Sequence, residues 1–187
     1  MGDPSMAKLY TDAMSHFARA LGAARSGDAE AAEKGAQELA RIVNNLKTAK
    51  NDYWATEVEV QRLSAAAWTS FAKGNRDEAL TLMRSAADLE DKSEKHAVTP
   101  GRLVPARELL GEMLLELNRP AEALKEFEAN EKHDPNRFRG LYGAAQAAAQ
   151  SGDGAKAKRY FTRLINLAGK GDARPEVDQA KTYLAKN

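Results

Sequence analysis

Asn118-Arg119-Pro120-Ala121-Glu122-Ala123, with Phe127 four residues further on, is the stretch on which the fold turns. A residue that tolerates left-handed backbone is followed by charges, then an alanine, then an apolar side chain one helical turn later. The order returns at Gly152-Asp153-Gly154-Ala155-Lys156-Ala157 with Phe161, and at Gly74-Asn75-Arg76-Asp77-Glu78-Ala79 with Met83. Gly27-Asp28-Ala29-Glu30-Ala31-Ala32 is a weaker copy. Ala123 and Ala157 stand 34 residues apart, Ala79 and Ala123 44, Ala32 and Ala79 47. A recurrence of that size marks stacked supersecondary units, and the step of 44 reads as one unit carrying an insertion.

Each position has a physical reason. Gly74 and Gly152 can adopt the positive φ that ends a helix, and Asn118 is the next best residue for it. Pro120 suits a first helical turn, where its missing N–H is no loss. Pro135 stops the following helix. Two antiparallel helices approach closely only where small residues meet, and Gly111, Ala123, Ala145 and Ala157 supply such points; Phe127 and Phe161 then fill the gap to the next hairpin. Periodicity and caps predict helices at 7–26, 29–48, 52–73, 76–95, 103–117, 120–132, 136–150, 154–168 and 175–185, and no strand. The 29–48 and 52–73 helices are long enough to protrude from a stack of shorter ones. In the last helix Val177, Ala180 and Leu184 form an apolar stripe, while Glu176, Gln179 and Lys186 face the other way, as a terminal cap requires.

Composition narrows the function classes. The 187 residues carry 28 Lys+Arg against 27 Asp+Glu, so bulk positive charge cannot drive nucleic-acid binding. Cysteine is absent, which removes disulfides, thiolate metal sites and cysteine nucleophiles. No apolar run exceeds four residues (Ala65 to Trp68), so no stretch is suited to cross a bilayer as a helix. Met1-Gly2-Asp3-Pro4-Ser5-Met6 holds a second methionine and reads as an expression scar, with the chain a C-terminal piece of something longer; the compartment, cytoplasmic or periplasmic, stays open.

With the period of 34, the residues resemble the tetratricopeptide repeat (TPR) family, in its bacterial form. In 104–137, Leu110-Gly111, Ala123, Phe127 and Pro135 match the family's pattern. In 138–171 the matches are Leu141, Ala145, Gly152, Ala157 and Phe161, with Gly169 in place of the closing proline. In 60–93, Leu63, Ala67, Gly74, Ala79 and Ala86 match, and Asp91 replaces the proline. The 13–46 unit keeps only Ala20, Gly27 and Ala32. The resemblance implies an all-α, right-handed superhelical solenoid of helical hairpins: a degenerate hairpin at 7–50, a hairpin with long helices at 51–99, two repeats at 100–171 and a capping helix at 172–187.

The resemblance also implies that first helices line a groove that holds a peptide. Its lining on this chain is Gln61, Ser64, Trp68 and Phe71, then Glu108, Glu112 and Glu116, then Arg139, Tyr142, Gln146 and Gln150. Family members that grip a terminal carboxylate use a Lys and an Asn four residues apart. Ser64/Trp68, Glu108/Glu112 and Tyr142/Gln146 stand there instead, so that clamp is missing. The glutamates repel an anion, which favours a basic or mixed-charge protein segment as partner, with neither nucleic acid nor membrane.

Two further features stand apart from the groove. The insertion, Glu94 to Pro105, contains Pro100-Gly101 and the polar residues Lys95, His96, Thr99 and Arg102, a possible loop site. Tyr53-Trp54 cannot both face one helix stripe, which opens the alternative of a structural, self-associating domain. No catalytic or cofactor motif is present, and His16, His96 and His133 are too dispersed for a local metal motif. The reading is a non-catalytic binding scaffold.

Overall fold

A computed structural model describes residues 4–93, 102–169, 171 and 174–187, with side chains from residue 8 onward. Among these residues there are helices and turns but no strand. The chain divides into two compact units, Met1–Ala106 and Arg107–Asn187.

Unit 1 holds α1 (Pro4–Arg25), α2 (Ala29–Thr48), α3 (Asp52–Ala72) and α4 (Arg76–Asp91). In α2, Ala32, Leu39, Ile42, Val43 and Leu46 recur at helical spacing and are buried. The long α2 and α3 do not protrude. At 22 residues α1 matches them in length, and all three helices pack on one another. α1 also begins inside the six residues set aside as a scar. Gly35 marks the closest approach of α1 and α2, where an added Cβ would lie 2.7 Å from the Cβ of Ala20. Tyr53 and Trp54 are both half-buried, and Trp54 packs 4.0 Å from the ring of Tyr10.

Unit 2 holds α5 (Ala106–Glu116), α6 (Pro120–His133), α7 (Phe138–Gln150), α8 (Gly154–Ala168) and α9 (Pro175–Lys186), α5 opening on the last residue of unit 1. The ring of Phe127 lies between Gly111 and Gly143: a Cβ on Gly111 would come within 2.8 Å of it, and one on Gly143 would collide. Ala123, Ala145 and Ala157 are fully buried. Phe161 meets Tyr183 of α9 at 4.8 Å, and Ala180 is buried against the same side. On the outer side Lys156 of α8 pairs with Glu128 of α6 at 2.8 Å, and Arg163 with Glu131. Lys156 and Arg163 thereby tie α8 to α6.

One closure recurs in both units. The amides of Asp28, Asn51, Asn75, Arg119 and Asp153 each bond the carbonyl five residues back, over a residue of positive φ: Gly27, Lys50, Gly74, Asn118 and Gly152. That is the physical content of the repeated turn motif. At Asp28, Asn51 and Asp153 the cap side chain also accepts the amide three residues on, whereas Asn75 makes no such bond.

α5 starts three residues later than its periodicity predicts. Val104 precedes a proline and is steered out of the helical region. The segment 102–105 is non-helical and is anchored by the Arg102 side chain.

Candidate functional site

In unit 2 the first-helix positions form a polar strip across α5, α7 and α9. Arg137, the N-cap of α7, donates through Nε to Glu108 at 3.0 Å. One turn along, Arg139 grips Glu112 with Nη2 at 2.7 Å and Nε at 3.0 Å. Tyr142 donates its hydroxyl to Gln179 of α9 and accepts from Gln146 Nε2 at 2.9 Å. Glu176 also faces this strip, since its charge acts on both Arg139 and Tyr142. Burial, with Glu176 adding to it, raises the Tyr142 phenol above its ordinary value and keeps it a neutral donor.

The glutamates of α5 present less negative charge than expected. Glu108 is completely buried and Glu112 is half-buried, and each has its own arginine. Burial raises Glu108 above the ordinary carboxylate range, opposed by the bond from Arg137, and its Oε1 has no hydrogen-bond partner. Arg139, Tyr142 and Gln146 keep accessible surface, so the strip presents a mixed-charge, hydrogen-bonding face. The sequence reading missed Gln179 and Glu176 as strip residues, because the polar side of α9 reads as a solvent-facing cap. Their signal is spacing: Glu176, Gln179 and Tyr183 fall on one helical face, and Gln179 of that face accepts from Tyr142 of α7.

In unit 1 the expected groove residues sit differently. Trp68 and Ser64 are buried, so neither offers an open surface. The Ser64 hydroxyl bonds the Val60 carbonyl at 2.8 Å. Trp68 lies under the Arg25 guanidinium, 4.4 Å from its ring centroid, and its Nε1 is unpartnered. Gln61 and Ser64 line a narrow cleft with Tyr10 and Phe17 of α1 and with Leu103 and Val104.

At one end of that cleft Arg102 sits between Glu57 of α3 and Glu90 of α4, at 3.7 and 3.2 Å. Arg102 also donates to Ser93 Oγ at 2.7 Å, and Ser93 donates onward to Glu57 at 2.8 Å. The Ala106 amide bonds Glu90 Oε2 at 2.7 Å. Of the loop candidates, Arg102 is thus placed as a half-buried anchor; Lys95, His96 and Thr99 lie outside the described residues. No local spacing links Glu57, Glu90 and Arg102. The one hint was Glu57 on the side of α3 that also carries Val60, Gln61 and Ser64.

Among the described residues no three His, Asp or Glu side chains gather as a metal site, and no helix is long and apolar enough to cross a membrane. No protein-family model and no curated protein matches the chain. Solved structures do match. One is PcrH from Pseudomonas aeruginosa, 21% identical, matched over 68% of this chain and 89% of that one with a TM-score of 0.53. At that identity the likeness speaks to fold alone, and with the hairpins described above it supports a TPR-like helical-repeat fold.

Proposed function

We propose that the chain is a non-catalytic scaffold that holds a protein or peptide segment on the α5–α7–α9 face of unit 2. The observation that carries this reading is the strip of Arg139, Tyr142, Gln146 and Gln179, in which donors and acceptors are pre-positioned by bonds between helices. Such a strip costs little to organise on binding, because its side chains are already held. It contains cationic, anionic and neutral groups, which suits a mixed-charge segment better than an anion. Helical-repeat arrays use first-helix faces in this way.

The test is panning of a random peptide display library on the full chain, followed by affinity measurement on Tyr142→Ala and Arg139→Ala variants. Loss of about tenfold in either variant supports the strip, since truncation of a central aromatic or arginine removes about 1.4 kcal/mol or more. Unchanged affinity in both moves the site elsewhere. The self-association alternative has less to stand on, because Trp54 packs against Tyr10 inside unit 1.

A further inference from the structure

We infer that the α1–α3 cleft of unit 1 is a recognition site for an arginine followed by aliphatic residues, and that the chain's own Arg102-Leu103-Val104 occupies it as an internal ligand. The inference extends the scaffold proposal to a second site in the other unit.

The cleft is rich in acceptors. Glu57 and Glu90 are both buried and share the guanidinium of Arg102, Glu57 also accepting from Ser93 and Glu90 from the Ala106 amide, and Gln61 Oε1 on the same lining is buried without a donor. A clasp serving stability alone gains little from confining two carboxylates around one cation, since the desolvation of buried ions rivals their attraction. A guanidinium answers that surplus, having five N–H donors and no acceptor. Arg102 spends its donors on Glu90, the Glu90 carbonyl and Ser93, in the manner of a bound arginine side chain.

The aliphatic part is seated less firmly. Val104 is half-buried, whereas Leu103 is 46% exposed although it lines the cleft. The segment is non-helical, so leaving the cleft would break no helix. With it in place the residual cavity is about 10 Å³, room for no more than one water. A partner peptide can therefore enter only by displacing the segment. The chain holds the site shut against weak competitors, because a tethered ligand acts at an effective concentration in the millimolar range.

The experiment uses the full chain and a fluorescein-labelled tetrapeptide, arginine-leucine-valine-proline, read by anisotropy. Val104→Ser loosens the segment, and Arg102→Ala empties the carboxylate end. Each should bind the peptide about tenfold or more tighter than the wild type, as the internal competitor is weakened. A peptide with alanine in place of arginine should show no such gain. No gain in helical variants, or an equal gain for the alanine peptide, overturns the inference; if Arg102→Ala lacks its helical circular dichroism, Val104→Ser alone decides. Tyr142→Ala should leave this peptide's affinity unchanged. If Tyr142→Ala instead removes it, unit 2 binds the peptide, and the cleft proposal fails while the scaffold proposal stands.

Discussion

Both units hold arginine–glutamate pairs, and the cleft pair of unit 1 and the outer pair of the unit 2 strip lie at different depths. In unit 1 the Arg102 and Glu90 side chains are 16% and 6% exposed; in unit 2 Arg139 and Glu112 are 55% and 14% exposed. The same two side chains therefore serve different ends. Deep in unit 1 the pair anchors a non-helical segment in a cleft. Near the surface of unit 2 the pair shapes a face that water and a partner can reach. Depth decides which role results, because desolvation makes an unpaired ion costly inside and cheap outside.

The sharpest way to break this contrast is to remove each arginine in turn. Arg102→Ala leaves two buried carboxylates without their cation and should destabilise unit 1 by about 3–5 kcal/mol in urea unfolding. Arg139→Ala should cost about 0.2–1 kcal/mol by the same measurement. Equal losses would mean that the depth argument is wrong.

Packing offers a second comparison. Gly143→Ala drives a Cβ into the Phe127 ring and should cost unit 2 about 1–3 kcal/mol, part of it recovered when Phe127→Leu is added. Gly22 of α1 has no neighbour within 4 Å of an added Cβ. Gly22→Ala should stabilise unit 1 by about 0.5–1 kcal/mol, through helix propensity alone. Thermal melts of the three variants would check the signs.

The smallest effect is a slope with pH. Glu108 faces Arg137, Glu112 and Arg139, and burial holds its carboxyl above the ordinary value of 4.5. The folded protein therefore keeps a proton that the unfolded chain has released, and stability falls as pH rises from 4.5 through the raised value. Glu108→Gln, which cannot ionise, should lack that decline. Stability curves of the two proteins that stay parallel from pH 4 upward would remove the buried-carboxyl reading of the strip.

The legibility of the chain follows the range of the interactions involved. The turn closures at Gly27, Gly74, Asn118 and Gly152 were readable because each is local, one residue of positive φ and one amide–carbonyl bond spanning five residues; the closure over Lys50 was not, since lysine carries no such signal. Phe127 between Gly111 and Gly143 was readable in part, since small residues spaced by a repeat imply close approach. Trp68 and Glu108 were misread as open groove residues. Their positions matched a lining pattern, but burial depends on what else reaches them: Arg25 over the indole, Arg137 against the carboxylate. Arg102 was noticed as a loop residue, yet its partners lie 12 and 45 positions away on two helices, beyond any spacing rule.

Sequence alone thus settled the all-helical character, the hairpin turns and the small-residue contacts of the repeats, because helix periodicity, left-handed turn residues and missing side chains act within a few positions. Only the tertiary structure decided which charges lie deep, that α1 shelters the long α2 and α3, that α9 joins the polar strip, and that the cleft of unit 1 already holds an arginine. Those outcomes depend on solvent exclusion, a property of the packed whole that no short window of residues contains.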